Sequence, residues 1–199
     1  MSNKRLIICE KPSVAQTIAK VVGAYARKDG YMEGEDYIVS WCFGHLAEYA
    51  RPEIYDEKYK KWQYEDLPIL PEPFQLEIAD DKEKQFGVLK VLLHSDDVGE
   101  VINACDAGRE GELIFYNVYD LSGSRLPVSR LWISSLEEKA IRDGIKAVKP
   151  AAHYQGLHDA AVCRAKADWL VGINATRAFT TKYGTTVYFQ DGVFEQQNG

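Results

Sequence analysis

The chain has 199 residues, 46% of them hydrophobic and 27% charged, with a formal net charge of −6. That length allows one sizeable α/β domain plus a small appendage, and the composition is that of a soluble globular protein. No apolar run approaches the roughly 20 residues that cross a bilayer. The opening MSNKRLIICEKPS has too short an apolar stretch for a signal peptide, so a cytoplasmic location is expected. The acidic balance runs against a nucleic-acid binder, because phosphate contacts need a basic face. Carboxylates clustered around a cation would account for part of that acidity, and a basic surface elsewhere in a longer parent protein for the rest.

Taken in order, Arg5 to Cys9 is an apolar run ending at Glu10 and reads as a buried strand. Pro12 and Ser13 open a helix in which Val14, Ile18, Val21 and Val22 recur at helical spacing, and Gly23 loosens the pattern. Tyr37 to Trp41, with Phe43, predicts a second strand ending at the Gly44-His45 turn. From Glu48 to Pro73 the sequence is rich in Pro, Tyr and charge and reads as a long loop with helical fragments, whose aromatics want burial. Lys82 to His94 is an amphipathic helix, Glu100 to Cys105 a strand ending at Asp106, and Gly111 to Leu121 a helix. A strand follows over Val128 to Ile133, and Ser135-Leu-Glu-Glu138 has the capping-box pattern at the head of the helix EEKAIRDGIKAV. Strands alternating with helices predict a mostly parallel sheet flanked by helices. After Pro150 a long helix over His153 to Ile173 has no strand partner. The expected division is therefore residues 1–150 as an α/β domain and 151–199 as the start of a helical domain with a loose C-terminal tail.

Two acidic motifs close predicted parallel strands: Glu10 after LIIC, and Asp106-Ala-Gly-Arg-Glu-Gly-Glu112 after VINAC. Ligands bind at that sheet edge in open α/β folds. Asp106, Glu110 and Glu112 lie on a glycine-bearing turn that leads into a helix, where hard oxygens can converge on Mg2+. Acids in a first helical turn are also favoured by the dipole alone; the strand-end Glu10 tips the reading toward a metal site. Magnesium held there orients a phosphodiester, with Glu10 as ligand or as the acid that protonates a leaving ribose oxygen. Lys11 either grips a phosphate or is simply solvated, and His45 either touches substrate or makes a local hydrogen bond. Trp41, Trp62, Trp132 and Trp169 read as core. The cysteines Cys9, Cys42, Cys105 and Cys163 form no CxxC pair, so neither a zinc ribbon nor disulfides are proposed, and Cys9 and Cys105 read as small buried hydrophobes at strand ends. No GxxxxGK[ST] or GxGxxG is present, which argues against a nucleoside-triphosphatase or dehydrogenase and leaves no nucleotide cofactor.

Glu10-Lys-Pro-Ser, Ser40-Trp-Cys-Phe-Gly-His-Leu, Asp106-x-x-Arg-Glu-Gly-Glu and Ala167-Asp-Trp-Leu-Val-Gly-Ile-Asn-Ala-Thr-Arg177 stand in one order across residues 5–182. Together they resemble the amino-terminal part of type IA DNA topoisomerases of the bacterial topoisomerase III kind. The resemblance implies a Toprim fold, Rossmann-like, with Glu10 as the catalytic glutamate and Lys11 near the scissile phosphate. It implies Asp106 and Glu110 as Mg2+ ligands, joined by Glu10 and by Glu112 as a partial substitute. It implies His45 close to the active site, and Arg109, Arg164 and Asp168 as DNA-binding positions for single-stranded DNA. The implied parent activity is ATP-independent cleavage, passage and religation of single strands.

Two departures matter. The Toprim motif usually reads Asp-x-Asp-x-Glu, and Gly108 stands at its middle acid. The stretch Thr185 to Gly199 does not match the family's continuation, and neither Tyr183 nor Tyr188 sits in its nucleophile motif. The isolated chain is thus expected to lack the tyrosine domain and strand passage. The alternatives are a stand-alone Toprim nuclease or primase-like protein, or a non-catalytic DNA-binding fragment.

Overall fold

The computed structural model describes residues 4–184, together with the backbone of two further strands at 187–190 and 193–196. In chain order the elements are β1 (Lys4–Cys9), α1 (Pro12–Val22), β2 (Ala26–Lys28), β3 (Tyr31–Glu33), β4 (Tyr37–Trp41), β5 (Ala47–Tyr49) and the single-turn α2 (Pro52–Tyr55). Then come β6 (Leu76–Ile78), α3 (Glu83–Leu93), β7 (Val98–Ala104), α4 (Arg109–Ser122), β8 (Val128–Arg130), α5 (Glu138–Lys146), β9 (Lys149–Pro150), α6 (Gln155–Tyr183), β10 (Val187–Gln190) and β11 (Val193–Gln196).

The chain divides into two compact units, each assembled from two segments: residues 1–48 with 76–162, and residues 49–75 with 163–199. The sequence placed one cut at Pro150. In the structure Pro150 pairs with Ser129 as part of an antiparallel edge strand, so the α/β unit runs past it.

The first unit is built on a seven-stranded sheet in the order β2-β3-β4-β1-β7-β8-β9. Its centre, β4-β1-β7-β8, is parallel, and β2, β3 and β9 are antiparallel additions. The Leu6–Cys9 part of β1 is apolar because it is covered on both faces. Leu6 and Ile8 face α3 and α4, joining Phe86, Leu89, Ile114 and Phe115. Ile7 and Cys9 face the opposite layer, joining Ala15 and Ile18 of α1 and Ile141 of α5. Burying each such aliphatic side chain contributes about 1.5–3 kcal/mol.

Helix α1 stops at Gly23, whose left-handed backbone (φ 80°) lets its N–H reach the carbonyl of Ala19. The β2–β3 hairpin, absent from the sequence reading, turns at Asp29-Gly30, with Gly30 at φ 83°. The capping box expected at Ser135 is not formed: α5 begins at Glu138, and the Ser135 hydroxyl accepts the N–H of Glu137 one residue earlier (3.2 Å). Helix α6 continues ten residues beyond the predicted Ile173, to Tyr183.

The second unit joins α2 and its following loop to the later part of α6. Trp169 is its anchor, meeting Tyr55 and Phe74 edge-on at 6.0 and 5.5 Å and donating its indole N–H to the carbonyl of Ala50 (3.2 Å). Asn174 bonds both the N–H and the carbonyl of Ile69 (2.6 and 2.9 Å), and Arg177 donates to the carbonyl of Tyr59 (2.7 Å). These contacts satisfy loop backbone that would otherwise be left unpaired in the interior. The strands β10 and β11 pair antiparallel, in the stretch expected from sequence to be loose.

Candidate functional site

Strand order fixes where chemistry can gather. The chain lays β4 on one side of β1 and later β7 on the other. The carboxyl ends of β1 and β7 therefore flank the point where the winding reverses, which is where a crevice opens in such sheets. Cys9 stands level with Ala104, and the next residues on these strands are Glu10 and the Cys105-Asp106 pair. The two motifs separated by nearly a hundred residues are thereby brought to one edge.

Glu10 is almost covered (8% exposed), whereas Asp106 projects outward. Lys11 lies between them, its ammonium 3.1 Å from Glu10 Oε1 and 3.9 Å from Asp106 Oδ2. The Glu10 hydrogen bond, then the charges of Glu10 and Asp106, raise the Lys11 ammonium above its ordinary pKa. The loop after β4 borders the same edge, since Gly44 donates its N–H to the carbonyl of Glu10 (3.3 Å). From that loop His45 meets Glu110 of α4 at 2.5 Å between Nε2 and Oε1. Arg109, at the head of α4, is exposed. A crevice of about 350 Å³ opens beside Asp106, bounded by Val14, Ala107, Ser134 and Leu136.

Glu112 departs from its assigned place. It is buried and turned inward, ion-paired with Arg130 (Nε to Oε1, 2.6 Å) and touched by the Asn103 amide (3.4 Å). It serves the foundation of the site, not its open face, and so does not make up for the acid missing at Gly108. Arg130, which the sequence reading passed over, holds this foundation together. It donates to the carbonyls of Asn103, Cys105 and Leu131 at 3.0, 2.7 and 2.9 Å and to that of Asp106 at 2.8 Å. The signal was available: an arginine in the middle of an apolar strand must be paired if it is buried.

The turn itself depends on Gly111. A Cβ there would lie 2.0 Å from the carbonyl oxygen of Asp106, so only glycine lets α4 start so close to the end of β7. Around Gly108, by contrast, nothing lies within 4 Å of where a side chain would begin. Beneath the acids three thiols are buried: Cys9, Cys42 and Cys105. Burial pushes the Cys9 thiol up, and contact with Cys42 together with burial does the same for Cys105, so these thiols stay neutral. Cys9 and Cys105 are thus the small interior hydrophobes expected at these strand ends.

Among the described residues no three or more His, Cys, Asp or Glu side chains are grouped so as to hold a metal ion. The donor chemistry nonetheless fits Mg2+, which binds proteins through one or two carboxylates and completes its shell with water and phosphate oxygens. Glu10 and Asp106 are such a pair, both within 4 Å of a single cationic atom.

In the second unit, Arg164 and Asp168 sit on α6 and pair with each other at 3.3 Å. Asp168 also borders a slot of about 310 Å³ with Trp62, Trp169, Gly172, Ile173 and Arg177. Trp62, read as core from the sequence, is 46% exposed, and the guanidinium of Arg177 stands 5.1 Å from its ring centroid. Trp132 is likewise exposed and stacks on Tyr154. No helix among the described residues is long and apolar enough to cross a membrane.

The chain is 48% identical over 180 residues to DNA topoisomerase 3 of Shouchella clausii and 49% identical over 180 residues to that of Staphylococcus haemolyticus. It is 49% identical over 181 residues to that of Bacillus cereus. These alignments cover 90–91% of the chain, which spans about a quarter (25%) of the length of each relative. In fold it is similar to full-length topoisomerase I from Thermotoga maritima, with a TM-score of 0.58 at 20% identity, covering 92% of this chain and 27% of that one. The Toprim domain family matches residues 5–136, the stretch that contains every acid of the sheet edge. By that match over most of its length, the chain belongs to the Toprim domain family.

Proposed function

We propose that this chain is the Mg2+-binding amino-terminal part of a type IA DNA topoisomerase, acting on single-stranded DNA. The convergence of Glu10, Lys11 and Asp106 at the reversal point of the sheet is the observation that carries this reading. A bound divalent cation would supply charge neutralisation at the phosphodiester. Glu10, nearly enclosed, is placed to hold or pass a proton at a leaving ribose oxygen. Lys11 supplies an ammonium for a phosphate oxygen, and His45, paired with Glu110, stands in the loop that borders the same edge. Arg130 keeps the backbone of Asp106 fixed while the carboxylate faces outward.

The slot of the second unit supports the nucleic-acid half of the reading. An exposed indole backed by a guanidinium suits base stacking, which contributes about 1–3 kcal/mol per base. Arg164 and Arg109 offer phosphate contacts on exposed surface. The nucleophilic tyrosine of the parent enzyme belongs to the remaining length of the relatives in this proposal.

The test is fluorescence anisotropy of a labelled single strand with the 199-residue chain, repeated with Trp62→Ala. A loss of about fivefold or more in affinity is expected from one stacking contact. Equal binding of single- and double-stranded DNA, unaffected at Trp62, would refute the assignment of substrate. Metal-dependent nicking by the chain alone would instead favour a free-standing Toprim nuclease.

A further inference from the structure

Among the described residues, the cation shared by Glu10 and Asp106 is a side chain of the protein itself. Lys11 Nζ lies 3.1 Å from one carboxylate and 3.9 Å from the other. The remaining acids are also matched: Glu110 with His45 and Glu112 with Arg130. Position 108 contributes no charge. Every carboxylate of the motif thus has a basic partner from within the chain.

The members of this arrangement differ in freedom. Glu10 is held at a strand end with 11% of its side chain exposed, so it stays where it is. Lys11 precedes the first turn of α1 in an extended backbone conformation, and its side chain is 55% exposed on a flexible stem. It can leave the carboxylates without disturbing the core.

We propose that Lys11 is a tethered counter-ion that competes with a divalent cation for Glu10 and Asp106, so that cation binding releases Lys11 toward a DNA phosphate. This rests on the reading above, that the two carboxylates take such a cation. Two cations within 4 Å of the same oxygens repel each other, so occupancy by one displaces the other. The displaced ammonium remains at the amino terminus of α1, where backbone N–H groups also favour an anion. A phosphate that engages Lys11 removes the competitor and strengthens cation binding, and by reciprocity the cation strengthens phosphate binding. The ion's apparent affinity is then lower than the bare carboxylate pair would give.

The test uses Mn2+ as the probe, its free concentration read by electron paramagnetic resonance against the 199-residue chain. Lys11→Met should bind Mn2+ about threefold to tenfold tighter than the wild type, the scale of exposed charge pairs broken at two carboxylates. Lys11→Arg, which keeps the charge, should stay near the wild type, and Asp106→Asn should bind more weakly than either. In parallel, acetylation of Lys11 followed by mass spectrometry should accelerate on adding Mn2+. Unchanged or weaker Mn2+ binding in Lys11→Met, with acetylation indifferent to Mn2+, overturns the competition while leaving the metal site standing. Equal Mn2+ binding by wild type and Asp106→Asn removes the metal site and the competition with it.

Discussion

Arg130 and Glu112 form an ion pair whose two side chains are each 2% exposed, joined at 2.6 Å beneath the edge where Asp106 emerges. An arginine so enclosed has to place its remaining N–H groups, and it does so on the backbone carbonyls at the ends of β7 and β8. The pair therefore acts as a clamp on the backbone of the site. Removing one partner strands the other charge in the interior, which costs about 3–5 kcal/mol. Arg130→Met should lower unfolding free energy by that amount in urea titration, and Arg130→Met with Glu112→Leu should recover part of the loss. A single-variant loss below about 1 kcal/mol would show that the clamp is not needed.

Gly111 gives a second, steric prediction. Its absent side chain makes room for the carbonyl of Asp106, at 2.0 Å from a hypothetical Cβ. Gly111→Ala should cost about 3 kcal/mol by forcing α4 away from β7. Thermal denaturation of the variant tests this, and an unchanged midpoint would contradict the close approach.

Gly108 behaves oppositely. Its surroundings are open and its φ of 161° is extended backbone that any residue adopts, so Gly108→Asp should fold normally. A further carboxylate beside Asp106 should tighten Mg2+ binding by about fivefold or more. Calorimetric titration with Mg2+ reads the difference directly, and equal affinities would place the ion elsewhere.

The cysteines give a counting experiment. Cys163 is exposed, and the other three are buried, with the thiols of Cys9 and Cys105 pushed up. Reaction with a thiol reagent under native conditions should consume one equivalent rapidly and the others only after denaturant is added. Rapid labelling of more than one would mean that the sheet edge opens readily.

Tyr116 sets an alkaline limit. Burial first, then the charge of Glu112, raises its phenol to about 12. The unfolded chain would release that proton near the ordinary value of about 10. Between those values the unfolded state binds fewer protons than the folded state, so stability falls as pH rises. Tyr116→Phe should show a shallower loss of stability over that interval in urea titrations, and identical slopes would contradict the raised value.

The parallel centre of the fold was legible because β1 and β7 each end in a buried stretch closed by an acid, a pattern that needs both a buried strand and an exposed end. The β2–β3 hairpin was not read, since its strands are three residues long and β2 is fully exposed; Asp29-Gly30 was the available cue. Helix α6 was cut short because its faces are mixed and no stop signal precedes Gly184. At the site, Glu10 and Asp106 both come within 4 Å of Lys11 Nζ, and His45 pairs with Glu110. The inward turn of Glu112 depends on Arg130, a partner across the sheet that no local pattern announces.

The order in which the two units are threaded has a consequence for biosynthesis. The central strand β1 finds one of its two neighbours only in β7, nearly a hundred residues later, and residues 49–75 await partners from residue 163 onward. A nascent chain leaving the ribosome therefore carries β1 with one edge unpaired until β7 is translated, and residues 49–75 without partners until the later part of α6 is made. Expression of fragments ending before β7 should yield chaperone-bound or aggregated polypeptide rather than a smaller stable domain.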